Sequence, residues 1–279
     1  MAHHESIAPI VKWVGGKRQL LPEIMPLIDK KCVTYVEPFV GGGAVFFELQ
    51  PKKAIINDYN QELINVYLVV RDHCDELIDL LKEHNRFNTQ EYFYTVRSLD
   101  RSDDYRELSD VAKAARIIYL NKTCYNGLYR VNSAGQFNAP YGKYKNPNIV
   151  NEESIRAMSG YLRSGKIAIR QGDYRNVLKG LRKGTFVYLD PPYLPISSSS
   201  SFTGYTQNGF SYEQQVTLKE ECDRLRKKGI AFLQSNSDCP QIRELYKEYD
   251  IRTVQAKRSI NSKAAKRGEI NEVLIYYVP

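Results

Sequence analysis

The stretch "VTYVEPFVGGGAVFFELQPKKAIIND", residues 33–58, decides the fold. "VTYVEPF" is dense in β-branched and aromatic residues and predicts a strand. "GGGAVFFEL" turns out of that strand into a helix. "AIIND" predicts a second strand ending on Asp58, and helical spacing follows from about Gln61 to Arg71. Strand, glycine turn, helix, strand ending in an acid, helix is an α/β order.

Outward from that core the character changes. Residues 19–28 predict a short helix. From about His73 to Lys122, "DELIDLLKEH", "EYFYTVRSL" and "DVAKAARIIYLNK" place apolar residues at three- and four-residue spacing with no strand between them. "YNGLYRVNSAGQFNAPYGKYKNP" then alternates aromatic and polar residues around Ser133-Ala134-Gly135, which predicts a β-hairpin or an aromatic-rich loop. A helix near 151–163 leads back to strand signals at "KIAIRQGD", "GTFVYLD", "GIAFLQSN", "DIRTVQA" and "EVLIYYV". Between two of these sits the helical "SYEQQVTLKEECDRLRKK". The economical division is a discontinuous α/β domain, residues 1–72 and 150–279, carrying a mostly helical insert at 73–149. "SSSSS", residues 197–201, reads as a loop rather than a linker.

Composition narrows the function classes. At 42% hydrophobic and 26% charged residues the chain is of globular type, and no apolar run approaches the ~18–20 residues of a membrane span. The first residues lack the apolar core of a signal peptide. Five scattered cysteines without a C-x-x-C pair, and four histidines without clustering, argue against disulfides and a metal site and fit a reducing cytoplasm. The formal charge of +8 is uneven. No acid lies between Asp110 and Glu152, a window holding Lys113, Arg116, Lys122, Arg130, Lys143 and Lys145. Nor does one lie between Asp250 and Glu269, which brackets Arg252, Lys257, Arg258, Lys263, Lys266 and Arg267. Such windows are either solvated faces or the footprint of a polyanion.

Two turns carry chemistry. Gly41, Gly42 and Gly43 let backbone approach a ligand at the carboxyl edge of the sheet, where open α/β folds bind. Asp58, one βαβ step later, is placed like an acid that accepts hydrogen bonds from ribose hydroxyls. Three adjacent glycines behind Glu37-Pro38-Phe39 differ from the G-x-G-x-x-G of a pyrophosphate site, so a nucleoside without pyrophosphate fits better. The alternative is an ordinary tight turn. In "FVYLDPPYLP", residues 186–195, a buried strand delivers Asp190 and Tyr193 on either side of Pro191 and Pro192. The prolines fix φ and remove two amide donors. Asp190 and the Pro191 carbonyl could then accept both hydrogens of one exocyclic amino group while Tyr193 stacks on its ring. Presenting that nitrogen to an electrophile requires orientation and a polar cradle more than a strong base.

With these residues in view, the sequence strongly resembles the Dam-like DNA adenine-N6 methyltransferases. "KWVGGKRQLLP", "EPFVGGGAVFFEL", "INDYNQELIN", "CYNGLYRVNSAGQFNAPYGKYKNP", "GDY" and "DPPY" occur in that family's order, that of the α group of amino-methyltransferases, over nearly the whole chain. The resemblance implies a Rossmann-like class I methyltransferase sheet with helices on both faces and an inserted DNA target-recognition domain. It implies S-adenosylmethionine as cofactor, contacted by Trp13, Lys17, Glu37, Pro38, Phe39, Gly41, Asp58, Asp173, Tyr174 and Asp190, with no metal. Asp190, Pro191, Pro192 and Tyr193 match the catalytic motif. Arg130 matches the arginine that reads guanine, whose O6 and N7 suit its fork. Tyr125 and Asn126 are expected to fill or brace the stack left by a flipped base, and Pro140 and Tyr141 to pack against neighbouring bases. Lys122, Lys143 and Lys145 are expected on phosphates, as is Lys12, with Lys17 open to either role. Phe137 and Tyr144 are open between DNA contact and the insert's own core. Loop 196–210 is expected to act as a lid or DNA clamp.

The expected partner is double-stranded DNA, with adenine in GATC the expected target, a cognate restriction endonuclease a further candidate partner, and a monomer sufficient for the chemistry. Three rivals are weaker. A methyltransferase for RNA or protein glutamine could use a similar turn, but the protein-directed enzymes usually begin it with Asn and lack a long basic insert. A nicotinamide oxidoreductase lacks its pyrophosphate fingerprint here. A catalytically degenerate DNA-binding module does not explain an intact Asp190 and Tyr193.

Overall fold

The computed structural model describes residues 7–13, 15–195, 210–257 and 269–279. Within them the chain runs α1 (Leu21–Ile24), β1 (Thr34–Glu37), α2 (Ala44–Leu49), β2 (Lys53–Asp58), α3 (Gln61–Asp72), α4 (Cys74–Arg86), α5 (Gln90–Ser98), α6 (Asp110–Thr123), α7 (Glu152–Ser164), β3 (Lys166–Gln171), α8 (Tyr174–Leu178), β4 (Thr185–Leu189), α9 (Tyr212–Lys227), β5 (Ala231–Ser237), α10 (Pro240–Leu245), β6 (Asp250–Lys257) and β7 (Glu269–Tyr277).

The strands form one sheet in the order β3-β2-β1-β4-β5-β7-β6. β1 to β5 are parallel, and β7 runs antiparallel to both β5 and β6. Parallel strands covered on both faces carry apolar side chains on both, and β4 is buried throughout. Alternate residues divide between two cores. Tyr35, Phe186, Tyr188 and Leu233 face one, with α2 to α7. Val36, Val187, Leu189 and Phe232 face the other, with α8 to α10. The carboxyl ends of five parallel strands therefore open on one edge, and they carry Glu37, Asp58, Gly172-Asp173, Asp190 and Ser237.

Between 73 and 123 the chain is helical, but the core of this middle segment is not separate. Leu77, Phe93, Val96 and Ile118 belong to the same apolar cluster as Tyr35 and Ile56. The hairpin expected after α6 is reduced to two isolated antiparallel bridges, Val131–Phe137 and Cys124–Tyr141. Asn126 and Gly127 there take positive φ and Pro140 has no amide, so no regular ladder extends between the bridges. The helix expected over 19–28 is split, with 3₁₀ turns at Lys17–Leu20 and Met25–Leu27 flanking α1. Pro22 and Pro26 each withhold an amide from it.

Arg116 corrects the reading of the first basic window. It is buried, not solvated, and pairs with Asp100 at 2.7 Å while donating to the Val96 and Arg97 carbonyls. Asp100 also accepts from the Phe137 amide at 2.7 Å, and Arg101 donates to the Phe137 carbonyl at 2.8 Å. This buried pair thus fixes the 130–139 segment to the helices. Removing one partner strands the other charge. Asp100→Ala should lower unfolding free energy by ~3–5 kcal/mol in urea melts; a loss below ~1 kcal/mol would show that the pair does not anchor the segment.

Candidate active site

Asp190 leaves β4 at the centre of the sheet. Its Oδ1 lies 2.8 Å from Lys17 Nζ, with about a fifth of the carboxylate side chain still exposed. The contact is ionic but not aligned as a hydrogen bond, and Oδ1 has no hydrogen-bond donor among the described residues. Burial pushes the Asp190 carboxyl up to about 6 against the opposing pull of Lys17. Lys17 is buried, donates to the Gly15 carbonyl at 2.6 Å, and stands 4.8 Å from the centre of the Tyr193 ring. The Tyr193 hydroxyl donates to Glu272 Oε2 on β7 at 2.7 Å. Burial and the neighbouring acids hold that phenol well above its usual range, so it stays neutral. The two proline carbonyls differ. Pro192 accepts from Gln215 at 3.0 Å, whereas no described residue donates to Pro191.

The glycine turn lies against the N-terminal loop. Gly41 has φ +50°, and a Cβ there would stand 2.9 Å from the Trp13 ring, so only glycine fits. Trp13 in turn stacks on Tyr129 with ring centres 4.7 Å apart. Asp58 braces the turn directly: Oδ2 accepts from the Gly41 amide at 3.0 Å and Oδ1 from Asn60 at 2.9 Å. Burial raises the Asp58 carboxyl. Glu37 is fully buried and accepts from the Tyr35 hydroxyl at 2.7 Å. Burial and nearby Asp190 lift its carboxyl well above the carboxylate range, partly offset by the Tyr35 hydrogen bond and Lys17. Trp13, Lys17, Glu37, the glycines and Asp190 line one cleft.

Beside it, Asn57 donates to both the Pro38 and Gly172 carbonyls at 3.0 Å, tying the β1 turn to the β3 turn. Phe39, Tyr174 and Phe210 form an aromatic cluster with ring centres 4.9–6.4 Å apart. Asp173 caps α8 through the Arg175 amide and pairs with the Arg175 side chain, which lowers its pKa. Its carboxylate is thus already engaged at the helix start.

On the other side, Asn121 bonds the Lys12 amide and carbonyl at 2.8 Å and the Gly127 carbonyl at 3.1 Å. It locks the N-terminal loop to the turn holding Tyr125, which is exposed, and Asn126, which is half-buried at φ +58°. Arg130 is half-buried, and Asn138 receives its Nε at 2.6 Å and its Nη2 at 3.0 Å, leaving Nη1 uncommitted. Lys12 is exposed and Lys122 half-buried; burial, then Lys12 and Arg18, lower the Lys122 pKa, so three cations converge there. Lys143, Lys145, Pro140 and Tyr144 are exposed. Tyr141 instead packs on Phe93, and Phe137 is core. In the second basic window Arg252 pairs with Glu23, residues 258–268 lie outside the described residues, and so does most of the expected lid, 196–209.

Sequence reasoning missed Asn57, Asn121, Gln215, Asn236 and Glu272. All bind backbone or side chains from distant segments, and no local pattern announces such a partner. Arg18 was legible only as one more charge beside Lys17.

The donor set fits S-adenosylmethionine. The cleft sets the carboxyl groups of Glu37 and Asp190 beside a single buried lysine, and Asp58 lies behind the glycine turn. That chemistry suits a cationic, amine-bearing nucleoside. Among the described residues, no cluster of His, Cys, Asp and Glu is arranged to hold a metal.

The strand order, the antiparallel β7 and the acid-bearing turns after β1 and β4 define a class I methyltransferase-like fold. The chain belongs to the D12 class N6 adenine-specific DNA methyltransferase family, whose model matches residues 13–260. It is 48% identical to the type II methyltransferase M1.LlaDCHI of Lactococcus lactis subsp. cremoris, covering 97% of this chain and 95% of that one. Identity to the type II methyltransferase M.MjaIII of Methanocaldococcus jannaschii is 40%, over 96% and 98%. The DNA adenine methylase of Escherichia coli K12 is 33% identical over 96% and 95%.

If Asp190 must be ionised to act, kcat/KM should fall as pH drops through about 6, approaching tenfold per unit below it. A profile flat from pH 7.5 to 5 would remove the carboxylate from the rate-determining chemistry.

Proposed function

We propose that the protein transfers a methyl group from S-adenosylmethionine to the exocyclic N6 of adenine in duplex DNA, with the adenine extruded and GATC as the target. The observation that carries this reading is the Asp190 carboxylate, half-enclosed at a strand end against Lys17 and beside Tyr193, with no described residue donating to the neighbouring Pro191 carbonyl. When bound, S-adenosylmethionine supplies an electrophilic methyl group on a cationic sulfur. Glu37 and Lys17 would contact its amino-acid end, Asp58 its ribose, and Phe39 and Tyr174 its adenine, with Trp13 over the glycine turn.

For the target base, Asp190 and the Pro191 carbonyl accept the two amino hydrogens, drawing the nitrogen lone pair out of ring conjugation. Tyr193 offers the ring a stacking face, its hydroxyl held by Glu272. A carboxylate near pKa 6 is suited to receive the proton the nitrogen sheds. A paired adenine cannot reach such a pocket, so extrusion is required. Segment 73–149 serves as the target-recognition region. Arg130, pre-oriented by Asn138, reads guanine; Tyr125 and Asn126 occupy the vacated stack, and the exposed Pro140 packs near it. Lys12, Lys122, Lys143 and Lys145 neutralise phosphates, setting affinity and salt dependence rather than sequence choice. The protein works as a monomer in the cytoplasm. Among the described residues no helix is long and apolar enough to cross a membrane. The type II names of two relatives support pairing with a cognate restriction endonuclease.

Incubation with labelled S-adenosylmethionine and random-sequence duplex DNA, followed by mapping, should give N6-methyladenine within GATC. Label on cytosine, or none across a range of salt, would overturn the reading. Asp190→Ala should abolish labelling while leaving DNA affinity within several-fold. Arg130→Ala should lose ~1–3 kcal/mol of discrimination at one guanine; undiminished selectivity at every position would free Arg130 of that role.

A further inference from the structure

The D-P-P-Y turn cannot hold itself. Pro191, Pro192 and Pro195 have no amide hydrogen, so between Asp190 and Pro195 only the Tyr193 and Leu194 amides could tie the backbone down. The carbonyls must find donors elsewhere. Three buried polar side chains on two elements supply the missing bonds. Gln215, in the first turn of α9, donates Nε2 to the Pro192 carbonyl at 3.0 Å. Its Oε1 accepts from Asn236 Nδ2 at 3.0 Å. Asn236, on β5, accepts from the Ser237 amide at 2.9 Å and faces the Leu194 amide at 3.4 Å. The Ser237 hydroxyl donates to the Leu194 carbonyl at 2.5 Å. Gln215 and Asn236 are fully buried and Ser237 is 3% exposed.

A buried amide chain of this kind is oriented by its own partners. With Asn236 Oδ1 facing two backbone amides, its Nδ2 must point at Gln215, which turns Gln215 Nε2 onto Pro192. The chain therefore grips the carbonyl of the second proline and leaves that of the first as the free acceptor. Nothing in it reaches the cleft.

We infer that Gln215, Asn236 and Ser237 are positioning residues for methyl transfer: they fix the proline turn so that Asp190 and the Pro191 carbonyl point together at the amino group of the target base. The inference rests on the adenine-methylation reading above and goes beyond it by assigning three residues that do not line the cleft. Misplacement of a cradle by about 1 Å costs on the order of 100-fold in rate. Releasing the turn should therefore act on kcat rather than on binding.

The test uses the full chain and Gln215→Leu, Asn236→Asp and Ser237→Ala. Asn236→Asp keeps the acceptor for Ser237 and Leu194 but removes the donor to Gln215. Single-turnover methylation of a duplex bearing the target adenine should slow about 10- to 100-fold in each variant. The KM for S-adenosylmethionine and the DNA dissociation constant should stay within about twofold to threefold. Fluorescence of 2-aminopurine at the target position, which reads extrusion, should be unchanged. Gln215→Leu and Asn236→Asp should be non-additive, because both release the same carbonyl. If either amide variant fails to fold by circular dichroism, Ser237→Ala, which loses a single hydroxyl, decides the matter by the same split.

Single-turnover rates within about threefold of wild type would overturn the inference while adenine methylation by the wild type still stands. So would a rate loss matched by equal losses in cofactor and DNA binding, since that marks general structural damage. A wild-type chain that methylates no adenine would instead overturn the underlying reading.

Discussion

An acid held at the end of a buried parallel strand is costly unless something answers its charge, and the pairing of Asp190 with Lys17 is that answer. The lysine comes from a 3₁₀ turn near the N-terminus and the aspartate from the middle of the sheet, so the contact closes the cleft between segments more than 170 positions apart. The compensation is incomplete. Burial still pushes the Asp190 carboxyl up to about 6, and about a fifth of its side chain remains exposed. Glu37, Tyr193 and Glu272 are arranged around the same pair, and the neighbouring acids help keep the Tyr193 phenol neutral.

Around this centre, side-chain amides do most of the tying. Asn57 joins the turns after β1 and β3, Asn121 joins the N-terminal loop to the turn after α6, and Gln215 with Asn236 secures the proline turn. Glycine and proline make these loops suitable for close approach to a ligand, but both also remove the means by which a loop stabilises itself. Buried amides with two donors and an acceptor restore rigidity without adding charge near the acids. The same logic extends outward through Arg116 and Asp100, which hold the segment carrying Arg130.

Much of this was legible in the sequence. The strand–glycine–helix unit, the acids closing β2 and β4, and the helical middle all rest on local periodicity and turn chemistry, and those signals survive folding because tertiary contacts reinforce them. Elements failed to be legible where the determinant is remote. The hairpin after α6 became two bridges because left-handed residues and Pro140 interrupt its pairing, although the alternation of aromatic residues is real. Arg116 looked like a surface charge because its partner, Asp100, lies on a different helical segment. Tyr141 was expected against DNA bases and Phe137 was open between DNA contact and core, and Phe93 and Tyr129 draw both inward. The bracing amides left no trace, since an isolated Asn or Gln in a strand or helix does not say which distant carbonyl it meets.

In the proposed reaction one amino group is held between Asp190 and the Pro191 carbonyl, above the Tyr193 ring. A crystal structure of the protein with S-adenosylhomocysteine and a GATC-containing duplex tests this most directly. The expected result is an extruded adenine whose N6 lies within hydrogen-bond distance of both oxygens, with its ring on Tyr193. An adenine left in the helix in such a complex, or an extruded base whose amino group is bound by other residues, would contradict it.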